Sequence, residues 1–234
     1  MTPKAIPNQE RLIFALDVPD LDSAEQLIDT LGDAVVFYKL GLEFFLSGHY
    51  FELADTLKSR GKKIFADLKL FDIPPTVGRA VAQLAKRDVD FVTVHGNDAM
   101  LGAAVEQAGD MGVLAVTALT SLDRGDLDDL GFACDVEALV LSRAKRALAL
   151  GCRGVISSGL EVEALRASVD HALTVICPGI RPVDNVDDQK RTMTASQAFS
   201  AGADYVVVGR PIRDAADPKQ AAMGIQEEIS RFFN

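Results

Sequence analysis

Three ionisable residues, Asp67, Lys69 and Asp72, interrupt the otherwise apolar run IFADLKLFDIPPT at residues 64–76. A lone charge in a protein core is costly, so buried ionisable groups are paired with one another or committed to a ligand. Asp67 and Lys69 stand two apart on a predicted strand and therefore point to the same side. One predicted strand earlier, VVFYKLG carries a second lysine in an apolar setting, Lys39. Lysines alternating with carboxylates form an acid–base array in which each ammonium keeps its proton at neutral pH. Each is then poised as an acid or donor, whereas an isolated buried lysine drifts towards neutrality. A purely structural ion pair needs the same D-x-K spacing, and spacing does not separate the two uses. Asp72 lies beyond the strand, where periodicity does not fix its position.

A second candidate site lies near the carboxyl end, in ADYVVVGRPIRDA at 203–215. A predicted strand ends in Gly209-Arg210, and Pro211 suits the first position of a short helix. Glycine lets backbone N–H groups close on an anion, and Arg210 adds a charge-assisted hydrogen bond, which together suit a phosphate. An ordinary turn with a solvated arginine reads the same. The preceding loop, CPGIRPVDNVDDQKRT at 177–192, carries Arg181 and Gln189. It is either a clamp over that phosphate or an acidic surface loop. A further long loop, TSLDRGDLDDLGFACD at 120–135, is a candidate lid, with Thr120 and Ser121 placed to meet a polar ring edge. His95 reads as a hydrogen-bonded rim histidine or a base, and His49 and His171 fall in or near helical segments. The sequence has no HExxH, CxxC or carboxylate cluster with metal-ligand spacing and no serine in a nucleophile elbow.

Such residues must be held by a scaffold, and the apolar pattern supplies one. Strands are expected at 12–17, 35–41, 63–69, 90–95, 113–119, 154–158, 173–179 and 205–209, with helical periodicity between them, for example at 22–31, 75–87 and 136–151. Eight strands, each followed by a helix, predict an α/β fold of the (β/α)₈ TIM-barrel type in a single domain, residues 11–234, after a polar tail at 1–10. A doubly wound open sheet would want a glycine fingerprint after the first strand, and LDVPDLDSA has none. The candidate residues fall at the carboxyl ends of the strands, where such barrels do their chemistry, and the strand beginnings are expected to be nearly free of polar groups. The chain's 234 residues carry a net charge of −10, which argues against a nucleic-acid-binding face. Its longest apolar runs are too short to cross a bilayer, and MTPKAIPNQERL lacks the apolar core of a signal peptide. Three scattered cysteines fit reduced thiols in a cytoplasm.

D-x-K-x-x-D at the third strand, the strand-two lysine and GRPI together are specific. With ALDVPD at 15–20, YKLGLEFF at 38–45, FADLKLFDIPPTV at 65–77, TALTS at 117–121, CPGIRP at 177–182 and DDQKRTMTASQA at 187–198, the chain resembles the orotidine 5′-monophosphate decarboxylase family in its bacterial form, nearly end to end. The resemblance implies cofactor-free decarboxylation of orotidine 5′-monophosphate to uridine 5′-monophosphate in de novo pyrimidine biosynthesis. It implies that Lys69 protonates C6, that Asp67 lies near the substrate carboxylate, and that Asp17 and Lys39 hold ribose hydroxyls. Thr120 would meet the pyrimidine, and Arg181, Gln189, Gly209 and Arg210 the phosphate. Asp72, Ile73 and Thr76 would reach into a neighbouring subunit's site, which makes the protein an obligate homodimer. Mg²⁺-dependent relatives, the 3-keto-gulonate 6-phosphate decarboxylases and hexulose-phosphate synthases, share the D-x-K-x-x-D array but carry an acidic metal ligand where this chain has Lys39. A non-catalytic nucleotide-phosphate binder is the other alternative, and it ordinarily lacks one member of the array. Here Lys39, Asp67, Lys69 and Asp72 are all present.

Overall fold

The computed structural model describes residues 4–181 and 193–233. Eight parallel strands pair in chain order and close on themselves: β1 (Leu12–Ala15), β2 (Phe37–Gly41), β3 (Lys63–Leu70), β4 (Phe91–His95), β5 (Gly112–Val116), β6 (Gly154–Ile156), β7 (Thr174–Cys177) and β8 (Tyr205–Val208). The helices alternate with them. α1 (Leu21–Leu31) follows β1, α2 (Leu42–Leu46) and α3 (Tyr50–Ser59) follow β2, α4 (Pro74–Ala85) follows β3, and α5 (Asp98–Gln107) follows β4. Beyond β5 come α6 (Arg124–Asp129) and α7 (Val136–Ala149), then α8 (Val162–Ser168), α9 (Ala195–Ala201), α10 (Arg210–Arg213) and α11 (Pro218–Phe233). The expected single-domain (β/α)₈ barrel is the observed one. No helix among the described residues is long and apolar enough to cross a membrane.

Local chemistry accounts for the element ends. Asp20, Asn97, Asp135 and Thr194 each accept a hydrogen bond from a backbone N–H in the first turn of α1, α5, α7 and α9. Gly151, just past α7, and Gly202, at the end of α9, have φ of +81° and +106°, a backbone conformation that favours glycine. The strands β1, β5, β7 and β8 are buried throughout, as expected where helices cover the outer face and side chains fill the inner one. Most strands stop short of the expected limits, at 15 rather than 17, 116 rather than 119 and 156 rather than 158. Asp17, beyond the end of β1, already belongs to a loop that opens onto the cavity. β3 runs the other way, one residue further, for a reason that bears on the site.

Inside the barrel the side chains are layered. Phe37, Phe91 and Tyr205 pack mutually at the amino-terminal end, with ring centroids 5.4–6.0 Å apart. Ile13, Phe65, Leu114 and Ile176 lie in the same buried inner cluster. This apolar plug separates the carboxyl-terminal mouth from the amino-terminal opening, where Lys63 Nζ lies over the Phe37 ring.

The strand beginnings are not free of polar groups, contrary to the expectation. Asp204 is buried and accepts hydrogen bonds from Lys4 Nζ and Arg166 Nη2, both at 2.7 Å, and from the Val175 N–H at 2.9 Å. Asp90 accepts from the Ile64 N–H at 2.8 Å. Carboxylates here satisfy strand N–H groups that burial would otherwise leave costly. Lys4, bound to Asp204, and Glu10, which pairs separately with Lys63 at 2.5 Å, dock residues 4–10 against the barrel.

Candidate active site

The array forms around one carboxylate. Asp67 Oδ2 lies 2.9 Å from Lys69 Nζ and 3.5 Å from Lys39 Nζ, and Lys39 Nζ reaches Asp17 Oδ1 at 3.0 Å. Strand register explains how Lys39 gets there. Lys39 pairs with Ala15 on β1 and Phe65 on β3, a layer below the carboxylates, while Gly41 stands opposite Asp67. A Cβ on Gly41 would sit 3.2 Å from Asp17 Oδ1 and 3.3 Å from Lys39 Nζ. The missing side chain leaves the space into which Lys39 rises to meet both acids.

Lys69 reaches the same carboxylate by a different device. Ala66 pairs with Val92 and Leu70 with Val94, so four positions along β3 match two along β4, and the extra residues bulge out. Lys69 sits in the left-handed region at φ +47°. The pleat alone predicts that Asp67 and Lys69 face one way; the bulge is what brings their charged atoms together. At its centre is Thr93, fully buried, whose Oγ1 donates to Asp67 Oδ1 and accepts the Lys69 N–H, both at 2.9 Å.

These contacts set the charge states. Burial pushes the Asp67 carboxyl up, but Lys39 and then Lys69 outweigh it and hold it below the usual 3.8. Burial pushes the Lys39 ammonium down, and Asp67 and then Asp17 outweigh that, holding it above the usual 10.5. His95 goes the other way: burial, Arg143 and Lys69 all lower it, and its ring packs edge-on against Phe71 with centroids 5.6 Å apart.

The array opens into a cavity of about 410 Å³ at the barrel mouth. Asp17, Lys39, Asp67, Lys69, Thr120, Arg181, Gly209 and Arg210, eight of the expected site residues, line it together. Arg181 is buried, and its backbone N–H donates to the Met193 carbonyl at 2.9 Å. Gly209 caps α10, so Pro211 is the second residue of that helix rather than the first. Asp72, Ile73 and Thr76 stand apart from the cavity lining, the first two on the turn into α4 and Thr76 in its first turn; Asp72 Oδ1 accepts the N–H of Ile73, and Ile73 is 63% exposed. Gln189 lies outside the described residues.

Three contributors escape sequence reasoning. Gly41 and Thr93 act through space rather than along the chain, although a lone threonine at an inward position of FVTVH is a signal in retrospect. Arg213 lines the cavity three residues after Arg210 and donates to the Asp17 carbonyl at 2.8 Å, tying α10 to the loop after β1. Among the described residues no cluster of His, Cys, Asp and Glu is arranged to hold a metal ion.

Residues 10–225 match the model of the orotidine 5′-phosphate decarboxylase / HUMPS family. The chain is 62% identical over 232 residues to the orotidine 5′-phosphate decarboxylase of Methylococcus capsulatus, covering 98% of this chain and 96% of the relative. It is 48% identical over 231 residues to that of Stenotrophomonas maltophilia, covering 97% and 96%. Among solved structures, the orotidine 5′-phosphate decarboxylase of Lactobacillus acidophilus superposes with a TM-score of 0.82 at 36% identity, covering 96% of this chain and 99% of that one.

The charge states make a prediction about stability. A carboxyl held low in the fold stabilises it above the unfolded-chain value, and that contribution is lost as pH falls through the folded value. An ammonium held high stabilises below its unfolded value and is lost as pH rises through the folded one. In urea melts, Asp67→Asn is expected to be less stable than wild type at neutral pH by on the order of 3 kcal/mol. That gap holds down to the ordinary carboxyl value of 3.8 and narrows below it. A gap that stays constant through the acid range would show that Asp67 is not held by the lysines.

Proposed function

The chain belongs to the orotidine 5′-phosphate decarboxylase / HUMPS family, and we infer that it decarboxylates orotidine 5′-phosphate to uridine 5′-phosphate and CO₂ in pyrimidine biosynthesis. The observation that carries this reading is the Lys39–Asp67–Lys69 array facing one cavity with Arg181 and Arg210. A volume of about 410 Å³ is in the range of small-molecule sites, and its charges suit a ligand anionic at both ends.

In the proposed mechanism the phosphate binds at Arg181, Gly209 and Arg210, with Gln189 as a further contact, and the pyrimidine edge lies against Thr120. Asp17 and Lys39 hold ribose hydroxyls. The substrate carboxylate is brought beside Asp67, where two like charges about 4 Å apart repel by about 4 kcal/mol at an effective dielectric of ~20. The bond from C6 to the carboxylate carbon breaks, its electron pair stays on C6, and a proton from Lys69 Nζ takes the place of the departing CO₂. Solvent then reprotonates Lys69. The dominant contribution is the Lys69 charge, fixed in place before the carbanion develops. Phosphate binding far from the breaking bond adds to the rate by holding the substrate in that register. Lys39 Nζ lies between the Asp17 and Asp67 carboxylates and neutralises both with an ammonium, which favours the metal-free reading over the Mg²⁺-dependent one.

The reading extends to a cytoplasmic homodimer in which Asp72, Ile73 and Thr76 complete the partner's site. Supporting it, Phe71 and Ile73 expose large apolar surfaces on either side of Asp72. Cys134, Cys152 and Cys177 are free thiols, in keeping with a reducing compartment.

Following the ultraviolet absorbance of orotidine 5′-phosphate with and without EDTA tests the reaction. Loss of the substrate signal at the same rate in both supports it. A signal lost only without chelator points to the Mg²⁺-dependent relatives, and an unchanged signal to a binder without turnover.

Subunit mixing tests the shared site. Lys69→Ala and Asp72→Ala chains, each inactive alone, regain about a quarter of wild-type activity when recombined in equal amounts, because one site in each mixed dimer is intact. No recovery in dimers shown to have exchanged subunits removes Asp72 from the partner's site.

A further inference from the structure

The Thr93 hydroxyl has one donor and two acceptor positions, and its two contacts fix which is used where. The Lys69 backbone N–H can only donate, so Oγ1 accepts from it, and the hydroxyl proton is directed at Asp67 Oδ1. That leaves Oδ2 of the same carboxylate to face Lys69 Nζ and Lys39 Nζ. The bulge gives the Lys69 N–H no ladder partner in the pairing of β3 with β4, and the hydroxyl takes that place. The same contact pins Lys69 at φ +47°, a conformation a lysine does not hold without support. One buried atom thus sets the plane of the carboxylate and the backbone that carries the lysine.

We propose that Thr93 is the positioning residue of the reaction, orienting Asp67 and Lys69 through a single hydroxyl without touching the substrate. The proposal rests on the decarboxylase reading for its kinetic consequence and on the geometry alone for its effect on Asp67. The charged and titratable groups around Asp67 come from several elements: β3 supplies Lys69, and β2 supplies Lys39, which also meets Asp17 after β1. α3 supplies Tyr50, whose phenol is pushed up by burial and by Asp67, while β5 places Leu114 opposite Thr93 in register. Elsewhere in the barrel wall, His95 on the same strand is turned towards Phe71.

Two variants of nearly unchanged shape separate positioning from packing. Thr93→Val keeps the branched volume and removes the hydroxyl. Thr93→Ser keeps the hydroxyl and removes a methyl group. For Thr93→Val, kcat is expected to fall by about 10- to 100-fold, the effect of a misplacement near 1 Å, with KM changed much less. Thr93→Ser restores kcat towards wild type although it melts at a lower temperature. In both backgrounds the acid-side loss of the Asp67 contribution to stability is measured from urea melts against Asp67→Asn. In Thr93→Val that loss moves to higher pH, because the carboxylate has lost a donor, and in Thr93→Ser it does not. Wild-type kcat in folded Thr93→Val, or kcat falling in both variants in step with melting temperature, overturns the proposal. If the wild-type chain shows no turnover, the decarboxylase reading fails, and the stability measurement still decides whether Thr93 orients Asp67: an unmoved acid limb in Thr93→Val overturns it.

Discussion

The Asp67 carboxylate is the constraint on which the rest of the site depends. It is mostly buried, and it is tolerated there because each oxygen has a partner: Thr93 on Oδ1, Lys69 and Lys39 on Oδ2. Removing a lysine would weaken the compensation of a charge that its surroundings solvate poorly, and removing the hydroxyl would leave Oδ1 without its donor. The arrangement binds three strands at one point, since β2 supplies the lysine below, β3 the carboxylate and the bulged lysine, and β4 the hydroxyl. Gly41 is part of the same solution, because a Cβ there would crowd both the Lys39 ammonium and Asp17 Oδ1, at 3.3 and 3.2 Å. The bulge in β3 costs ladder hydrogen bonds and forces a left-handed lysine. Such local strain persists where the surroundings over-determine it, which is the case here.

The two ends of the barrel divide the work. At the amino-terminal end, Asp204 with Lys4 and Arg166, under a plug of aromatic rings, joins the first described residues to α8, β7 and β8. At the carboxyl-terminal end the loops after β1, β5, β7 and β8 bring Asp17, Thr120, Arg181 and Arg210 to the rim of one cavity. Polar groups are numerous at both ends but do different things: below they saturate one another and the strand N–H groups, above they leave a concave, charged surface. This separation of stability from chemistry is what the fold offers to any enzyme built on it.

Much of this was legible in the residues. The eight strands follow from short β-branched and apolar runs that the structure reproduces one for one, because strands buried on both faces have no polar alternative. Lys39, Asp67 and Lys69 were conspicuous as charges in apolar surroundings, and Gly209-Arg210 as a glycine–cation pair at a strand end. What stayed hidden depends on register between strands, which no single strand encodes. Thr93 is unremarkable until β3 and β4 are paired with two extra residues between them. Arg213 looks like a surface arginine until its guanidinium is seen to hold the Asp17 carbonyl. The polar groups at the strand beginnings escape the sequence for a related reason, since Arg11 and Asp204 fall just before their strands and are buried only by the closure of the barrel. Asp72 is a different case. The chain presents it on an exposed turn, apart from the cavity, where its Oδ1 accepts the Ile73 N–H.

The claim that Lys69 is the proton donor is tested most directly by chemical rescue of Lys69→Ala. Turnover of orotidine 5′-phosphate by this variant is measured against added primary alkylammonium ions, with product identity read from uridine 5′-phosphate formation. The account predicts that turnover is lost and returns in proportion to the concentration of the protonated amine, which fills the vacated space beside Asp67. Turnover at the wild-type rate by Lys69→Ala without any added amine would contradict it.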